Sequence, residues 1–420
     1  MHVFEITGGK VLKGNICVSG SKNAATPILA ATLLTPTATT LHNIPRIEDV
    51  FRMLEILESM GVEVEWIASH SVRITPGKYD VTKLDQHLVK KLRSSILLLG
   101  ALSATQDTFT VSHPGGCVIG ARPVDTHMDA LRKLGVHIET TEQGYQIDAR
   151  NRQSAKVVLR ESSVTATENV LMIAATLSGV TTVKLAACEP HVEDLAHFLV
   201  SLGVNIEGIG TTTLTIVGKE SLQGSDYTII PDANEAATFL ILGAATGSAI
   251  TVENAREEHL DAVLEKLREF GVGFKIEKNS ITVIPAEKIV AVSKVDTRVY
   301  PGIPTDVQAP FGILATQAEG ETLIHDPLFE GRFNYVQELE KMGGHAKVLN
   351  PHQVIIHGKT PLKGTRIKSY DLRAGAALII AALTSSGTTV IEEIYQVDRG
   401  YERIEERLQL IGADIKRVAV

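Results

Sequence analysis

The chain has 420 residues, more than one hydrophobic core usually serves, so two domains, or three at most, are expected. Its composition, 44% hydrophobic and 21% charged, is that of an ordinary globular protein and excludes extensive disorder. A formal net charge of −8 without a polybasic run argues against a nucleic-acid partner.

The chain carries no sign of secretion or membrane insertion. Residues 1–6 lack a basic stretch followed by an apolar one, and no run approaches the roughly 18 to 20 apolar residues of a membrane span. The cysteines Cys17, Cys117 and Cys188 cannot all pair with one another. We therefore expect a cytoplasmic protein with reduced thiols and no membrane contact.

Six times along the chain, an amphipathic helix ends at a glycine and a strand follows. The glycines recur in steps of 74, 68, 68, 72 and 69 residues, at Gly61, Gly135, Gly203, Gly271, Gly343 and Gly412. This spacing predicts one structural unit of about 70 residues copied six times, three copies to a domain. Each glycine fits a helix C-terminal cap, where a positive φ costs little without a Cβ.

Each copy begins with an apolar, alanine-rich helix that we expect to be buried on nearly every side. These helices are predicted at 23–34, 92–103, 167–177, 235–245, 307–316 and 372–383. A β-branched strand follows, as at 181–183, 250–252 and 388–391, and then an amphipathic helix with one wet face, as at 261–270 and 403–411. The sequence therefore predicts an α/β fold with helices inside and sheets outside, an inside-out α/β barrel. The polar segment 218–226 predicts a domain boundary just after it.

Cations stand at helix starts, where they oppose the helix macrodipole at a cost of about 0.3 kcal/mol or more each. The cations at or near these starts are Lys22, Arg93, Arg122, Arg332, Arg373 and Arg399. Because helix N-termini together with basic side chains bind anions, the set predicts an anion site. The alternative for any single arginine is an ordinary salt bridge on the surface or between copies.

The glycine- and proline-rich segment 113–127 predicts a loop, the kind of segment in which functional residues often lie. Cys117 stands there between Gly116 and Arg122, and a nearby cation stabilises a thiolate. A nucleophile or a general acid–base is therefore predicted at Cys117.

Two other roles for the cysteines are weighed. Zinc binding by His113, Cys117 and His127 is disfavoured, because the spacing matches no common pattern and a fourth ligand is missing. Burial as a small structural residue is expected for Cys17 and Cys188, which lie in apolar, strand-like segments.

Five segments together carry a family resemblance: 19–25, 113–125, 304–306, 371–374 and 398–405. They resemble the UDP-N-acetylglucosamine 1-carboxyvinyltransferases, a branch of the enolpyruvyl transferases, over essentially the entire chain and in order. The resemblance implies transfer of the enolpyruvyl group of phosphoenolpyruvate to the 3-hydroxyl of UDP-N-acetylglucosamine, with release of phosphate. This reaction opens bacterial peptidoglycan synthesis, and in the family it needs no metal or organic cofactor.

The same resemblance implies two domains of three copies each. The first comprises residues 22–230 and carries the cysteine loop, and the second joins residues 1–21 with 231–420. The substrates are expected in the cleft between them. The oligomeric state is left open, with a monomer favoured.

Site residues carry over by position. Cys117, Asp306, Lys22 and Arg399 match catalytic positions, Cys117 as the acid that can form a covalent adduct and Asp306 at the hydroxyl proton. Lys22, Arg122 and Arg399 match the positions that bind phosphoenolpyruvate. Substrate-binding positions are matched by Asn23, Arg93, Arg122, Pro123, Val124, Asp125, Thr126, Ser163, Val164, Thr165, Leu328 and Arg373.

Several alternatives stay open. Asp306 also fits an ordinary helix N-cap, and its role as base or as positioning acceptor is not decided by sequence. Thr165 stands where many members of the family have glycine, so a side chain there could crowd the diphosphate. The rival functions are the enolpyruvyl transferase of the shikimate pathway, which lacks the cysteine loop, and a catalytically silent binding protein of the same fold.

Overall fold

The computed structural model describes residues 2–116 and 119–420. The chain divides into two compact units. One takes Met1–Ser19, Cys117–Ala121 and Pro231–Val420, as far as these residues are described, and is called the C-terminal unit below. The other, the N-terminal unit, takes Gly20–Gly116 and Arg122–Ile230.

The described residues form fourteen α-helices. They are α1 Lys22–Ala31, α2 Glu48–Ser59, α3 Gln86–Lys91, α4 Leu98–Thr105, α5 Asp125–Lys133, α6 Val164–Ala174, α7 Pro190–Ser201, α8 Ala233–Ala245, α9 Asp261–Glu269, α10 Gln308–Gln317, α11 Tyr335–Lys341, α12 Leu372–Thr384, α13 Tyr395–Asp398 and α14 Ile404–Leu410. Short 3₁₀ turns add Thr32–Leu34, Val81–Lys83, Arg93–Leu97, Glu257–His259 and Thr305–Val307.

The strands among the described residues are short, and they alternate with the helices. They are β1 His2–Thr7, β2 Gly14–Cys17, β3 Thr39–His42, β4 Glu63–Ala68, β5 Ser71–Thr75, β6 Thr108–Ser112, β7 His137–Thr140, β8 Gly144–Asp148, β9 Lys156–Val158, β10 Val180–Lys184, β11 Asn205–Glu207, β12 Thr213–Val217, β13 Asp226–Thr228, β14 Ile250–Glu253, β15 Gly273–Glu277, β16 Ser280–Ile284, β17 Lys294–Asp296, β18 Gly320–His325, β19 His345–Asn350, β20 Gln353–Gly358, β21 Arg366–Lys368, β22 Thr388–Glu392 and β23 Asp414–Ala419.

One helix of each copy lies in the centre of its unit, as the apolar pattern predicts. The central helices are α1, α4 and α6 in the N-terminal unit and α8, α10 and α12 in the C-terminal unit, and nearly all of their residues are buried. Two of them, α4 and α10, directly follow 3₁₀ turns, and α6 begins at Val164, earlier than the predicted 167. The inside-out α/β prediction is confirmed.

Each unit carries three sheets around its helices. Their strand orders are β13-β3-β5-β4, β6-β8-β7 and β11-β12-β10-β9 in the N-terminal unit, and β21-β22-β1-β23, β15-β16-β14-β2 and β17-β18-β20-β19 in the C-terminal unit. The last strand of the N-terminal unit pairs parallel with its first sheet, Tyr227 opposite Leu41. The N-terminal segment of the chain supplies strands to the C-terminal unit, with Phe4 opposite Ile391 and Ile16 opposite Val252. Hydrogen bonding between distant segments therefore closes each unit.

The six closing glycines share one backbone conformation. Their φ angles are all positive, from 82° at Gly135 to 104° at Gly203. A Cβ at Gly61 or Gly412 would meet nothing within 4 Å, so the left-handed backbone alone favours glycine there. The prediction that the repeat is marked by helix caps is confirmed.

The prediction that Cys17 and Cys188 are buried is wrong. Cys17 is exposed, because Ile16 points inward from the same strand and the next side chain must point outward. Cys188 is half-buried in the segment that precedes α7. Among the described residues, no helix is long and apolar enough to cross a membrane.

Candidate active site

Cys117 lies outside the described residues, but the chain on both sides of it meets Arg93. Gly116 has a φ of +118°, and a Cβ there would come within 2.6 Å of the Arg93 Cβ. On the other side, Arg93 donates a 2.6 Å hydrogen bond from Nη2 to the carbonyl of Arg122. Burial lowers the pKa of Arg93, while Tyr145 favours its charge. Arg93 thus lies close to the Gly116 backbone and is hydrogen-bonded to the backbone of Arg122.

The residues after Cys117 pair with a turn of the C-terminal unit, to which they belong. The Ala121 N–H donates to Oε1 of Glu330 at 2.9 Å, and the Gly331 N–H donates to the carbonyl of Ile119 at 3.0 Å. The Ala121 N–H is the main reason that the pKa of Glu330 is lowered. Glu330 therefore anchors this segment as a carboxylate.

Lys22 opens α1 and is surrounded by carboxyl groups. Its Nζ lies 3.5 Å from Oδ2 of Asp49, and Ser21 caps the helix by accepting from the Ala24 N–H at 3.3 Å. Burial, and then Glu189, raise the pKa of Glu168 well above its usual range, and Lys22 opposes this. The cation that opposes the macrodipole of α1 thus has the Asp49 carboxylate and the protonated Glu168 carboxyl near it.

The segment proposed for the diphosphate forms the start of α6. The Ser163 hydroxyl accepts from the Ala166 N–H at 3.4 Å, so Ser163 is the N-cap, with Val164 and Thr165 as the first helical residues. Thr165 Oγ1 lies 2.7 Å from Nε2 of His127.

The segment 122–126 leads into α5. Asp125 is its first residue and is exposed, as is Pro123, whereas Val124 is half-buried. Thr126 is buried and donates to Oε1 of Glu161 at 3.1 Å.

Asp306 lies at the centre of an ion-pair network in the C-terminal unit. Its Oδ1 accepts from Nη2 of Arg332 at 2.7 Å, and its Oδ2 accepts from Nε of Arg373 at 3.0 Å and from Nδ2 of Asn234 at 3.2 Å. No side-chain cap bond occurs at the 3₁₀ turn that contains Asp306 or at the start of α10, which follows it. The N-cap interpretation of Asp306 is therefore wrong.

Arg373 is almost fully buried and ties this network to the fold. Its Nη1 donates to the Tyr401 hydroxyl at 3.2 Å, and that hydroxyl lies 2.9 Å from Thr238 Oγ1. Burial acts to lower the pKa of Arg373, but Asp306 and then Tyr401 outweigh it and raise the pKa. Asp371 caps α12 by accepting from the Arg373 N–H at 2.9 Å, which fixes the backbone of the arginine.

Arg332 is 8% exposed and is held through its backbone. Its carbonyl accepts a 3.2 Å hydrogen bond from Nε2 of Gln308, and Gln308 Oε1 accepts from the buried Tyr335 hydroxyl at 3.0 Å. A Cβ at Gly312 would come within 2.2 Å of that hydroxyl, so glycine is needed for Tyr335 to pack here. Core packing thus positions the partner of Asp306.

The remaining candidates lie in separate places. Leu328 is 38% exposed, and its N–H donates to Oδ1 of Asp326 at 3.0 Å. Arg399 is 8% exposed and follows the last residue of α13. Asn23 is half-buried in the first turn of α1.

Hydrogen bonds connect only some of the predicted site residues to one another. Within the described parts of each unit, the structure joins Arg93 with Arg122 and Asp306 with Arg373, whereas Asn23 and Leu328 contact no other candidate through a hydrogen bond.

Sequence reasoning did not assign four residues of these networks to the substrate site: Asn234, Arg332, Tyr401 and His127, the last of which it weighed only as a zinc ligand. Arg332 belonged to the group of cations at helix starts but was not assigned to the site. Asn234 stands at the start of α8, as Lys22 does at the start of α1, and this shared position is the signal that could have revealed it.

The sequence matches known proteins over its whole length. The sequence pattern of the family described as EPSP synthase (3-phosphoshikimate 1-carboxyvinyltransferase) matches residues 6–408. A UDP-N-acetylglucosamine 1-carboxyvinyltransferase of Koribacter versatilis is 44% identical, covering 100% of this chain and 97% of that protein. One of Helicobacter pylori is 42% identical, covering 100% and 99%.

Solved structures share the fold. The enolpyruvyl transferase NikO from Streptomyces tendae superposes with a TM-score of 0.90 at 25% identity, covering 100% of this chain and 99% of that one. The EPSP synthase from Acinetobacter baumannii superposes with a TM-score of 0.74 at 22% identity over the full length of both, which supports the fold alone.

Proposed function

Because the chain belongs to the enolpyruvyl transferase family of EPSP synthase and UDP-N-acetylglucosamine 1-carboxyvinyltransferase, we propose that it transfers the enolpyruvyl group of phosphoenolpyruvate to the 3-hydroxyl of UDP-N-acetylglucosamine. This is the first committed step of peptidoglycan synthesis. The observation that carries the proposal is full-length identity of 41% to 44% with proteins of that name. The chain keeps the thiol, the carboxylate and the cations that this reaction needs.

The reaction is an addition followed by an elimination. In the addition, the sugar oxygen bonds to the central carbon of phosphoenolpyruvate, its proton is removed, and the methylene carbon gains a proton. In the elimination, the bond from that carbon to the phosphate oxygen breaks, and the new methyl group loses a proton. One group must therefore handle the methylene proton and another the hydroxyl proton.

We assign these two tasks to Cys117 and Asp306. Cys117 protonates the methylene carbon and can form a covalent adduct through its sulfur. Asp306 accepts a hydrogen bond from the sugar hydroxyl and handles its proton. Its carboxylate is fixed by donors on three separate segments, those of Asn234, Arg332 and Arg373, and such preorganisation favours a defined hydroxyl orientation.

Phosphoenolpyruvate carries a phosphate and a carboxylate, which several cations must balance. We assign this role to Lys22, Arg122 and Arg399. Arg93 supports Arg122 through its 2.6 Å hydrogen bond to the Arg122 carbonyl. Arg373, 3% exposed, orients Asp306.

The nucleotide is proposed to lie against a second set of residues. The start of α6 at Ser163, Val164 and Thr165 offers backbone N–H groups and the positive end of a helix dipole to the diphosphate. The segment 122–126, with Asn23 and Leu328, completes the set of proposed contacts. Since these residues belong to both units, we propose that both units act on the same pair of substrates, with residues 22–230 and the joined segments 1–21 and 231–420 as the functional domains. We also propose a cytoplasmic monomer.

The rival acceptor is shikimate 3-phosphate, which is favoured only by the description of the family pattern. Incubation with phosphoenolpyruvate and UDP-N-acetylglucosamine, followed by mass spectrometry, tests the proposal. The enolpyruvyl ether of the sugar nucleotide is the expected product, together with inorganic phosphate. Its absence under conditions where the protein is folded would contradict the proposal.

A further inference from the structure

The bond between His127 and Thr165 connects a buried histidine to the segment proposed for the diphosphate. His127 is 4% exposed on α5, and its Nε2 lies 2.7 Å from the hydroxyl of Thr165, the second residue of α6. Its Nδ1 is buried beside the Val124 backbone. The ring is therefore a buried polar group whose one strong contact is a residue at a helix N-terminus.

The surroundings of His127 favour the neutral ring. Burial, the charge of Arg93 and, to a smaller extent, the charge of Arg122 lower its pKa to about 4, while the backbone of Val124 acts in the opposite direction. The elements packed against α5 carry further ionisable groups, namely Glu168 on α6, His137 and Glu139 on β7, and Lys156 on β9. None of them is among the causes of the lowered pKa of His127. Arg93 and Arg122 thus place positive charge near the neutral ring, while the carboxylates of this segment are those of Asp125 on α5 and of Glu161, which accepts from the adjacent Thr126.

In the tautomer that carries its proton on Nδ1, the neutral ring also fixes the direction of the Thr165 hydroxyl. With the proton on Nδ1, near the Val124 backbone, Nε2 can only accept, so the hydroxyl donates to it. The threonine oxygen then presents lone pairs to its surroundings, and these repel the oxygens of a phosphate. A threonine in this state is a poor neighbour for a diphosphate.

Protonation of His127 removes this conflict. A charged ring donates from Nε2 to the threonine oxygen, which frees the hydroxyl hydrogen for a phosphate oxygen. The negative charge of a diphosphate within about 4–6 Å raises a histidine pKa by about 1 to 3, which offsets part of the effect of Arg93 and Arg122. Ligand charge and hydroxyl direction therefore change together.

We propose that His127 and Thr165 form a proton-linked element of the diphosphate site, in which His127 takes up one proton from solvent as the nucleotide binds and the Thr165 hydroxyl turns from His127 to a phosphate oxygen. This inference rests on the proposed function, because it places the diphosphate of UDP-N-acetylglucosamine at the start of α6.

The test is calorimetric titration of the full chain with UDP-N-acetylglucosamine in buffers of different ionisation heat. The diphosphate is a diester and does not itself titrate near neutral pH, so proton uptake reports the protein. From a free pKa of about 4, a rise of about 2 in the pKa of His127 gives about tenfold tighter binding near pH 5 than near pH 7.5, with an uptake of about 0.8 proton near pH 5 and almost none at pH 7.5.

Three variants separate this element from other titrating groups. His127→Gln removes the uptake, and Thr165→Val, which keeps the shape but not the hydroxyl, weakens binding and removes the uptake as well. His137→Gln, which changes an exposed histidine on β7, keeps the wild-type uptake. Because the wild-type measurement needs no variant, the inference is testable even if His127→Gln does not fold.

The outcomes distinguish the two proposals. Binding without proton uptake and with an unchanged Kd across this pH range overturns the inference but leaves the proposed function intact. Uptake that persists in Thr165→Val overturns the role of the hydroxyl. An absence of nucleotide binding at any pH overturns the inference and the proposed function together.

Discussion

Arg332 donates a 2.7 Å hydrogen bond to Oδ1 of Asp306, from a position 26 residues further along the chain. The side chains of Arg332 and Asp306 are 9% and 20% exposed, so solvent screens this pair only partly. The other carboxylate oxygen is bonded to Arg373. The orientation of Asp306 thus depends on two arginines that lie on different copies of the repeat.

Replacement of Arg332 by alanine is expected to lower kcat/KM. Loss of a hydrogen bond to a charged group costs about 1.5–3 kcal/mol, which corresponds to about a 10- to 100-fold loss if the bond orients Asp306 in the transition state. Steady-state phosphate release measures the effect. Arg298→Ala is the matched control, because Arg298 pairs with Asp296 in the same unit but outside the proposed site. Equal losses in both variants would refute the assignment.

Fosfomycin, an epoxide that alkylates the matching cysteine in the family that the chain resembles, is expected to form an adduct at Cys117 alone. Partial desolvation of the sulfur is the main cause that raises the pKa of the half-buried Cys188 thiol and, although the residue is exposed as a whole, that of the Cys17 thiol, so the thiolate is disfavoured at both near neutral pH. Peptide mapping by mass spectrometry locates the adduct, and the double variant Cys17→Ser, Cys188→Ser should still be labelled. Cys117→Ser should lose both the label and phosphate release. Labelling of Cys17 or Cys188 in its place would remove Cys117 from the proposed mechanism.

Substitution at Gly61 tests the cap that repeats along the chain. Gly61 has a φ of +91° and open space around it, so Gly61→Ala should lower the free energy of unfolding by about 1–2 kcal/mol through backbone strain alone. Gly61→Asn is the control at the same position, because asparagine tolerates the left-handed region and should cost less. Urea denaturation compares them. An alanine variant as stable as the asparagine variant would exclude backbone strain as the reason for the glycine.

The buried Glu168 gives the folded protein a distinct pH dependence. Burial is the main cause that raises its pKa, so the folded state retains a proton that the unfolded chain releases above about pH 4.3. The contribution of Glu168 to the free energy of unfolding is therefore largest at low pH, and it falls as the pH rises by up to about 1.4 kcal/mol per pH unit. The variant Glu168→Gln has a side chain of the same shape as the protonated glutamate, but it does not titrate.

The Gln variant should consequently gain stability relative to the wild type between about pH 5 and pH 7.5. Urea denaturation at both values measures the difference, with the exposed Glu142→Gln as the control. If the difference in the free energy of unfolding between Glu168→Gln and the wild type does not change with pH, Glu168 titrates normally in the folded protein.

Much of the fold was predictable because the repeat is local. The glycine caps, the burial of α8 and α12 and the outer helix α9 follow from patterns within about 15 residues. The 3₁₀ turn at Arg93–Leu97 was not predicted, since the apolar pattern does not distinguish the two helix types. The exposure of Cys17 was also missed, because a four-residue strand is too short for its alternation to be read.

The candidate site was predictable by residue type but not by contact. Arg332 and Arg373 lie 26 and 67 positions after Asp306 in the chain. The packing of α10 against α12 brings Arg373 to Asp306, and the bonds of Gln308 to Arg332 and Tyr335 position Arg332. The bond from His127 to Thr165 spans 38 positions and likewise depends on the packing of α5 against α6. Sequence patterns describe neighbours along a helix, whereas these pairs depend on tertiary structure.

The choice of acceptor tests the proposed function most directly. Phosphate release from phosphoenolpyruvate is measured with UDP-N-acetylglucosamine and, in a parallel reaction, with shikimate 3-phosphate. We predict release with UDP-N-acetylglucosamine only, and its loss in Cys117→Ser. Release with shikimate 3-phosphate alone, or with neither acceptor, would contradict the assignment.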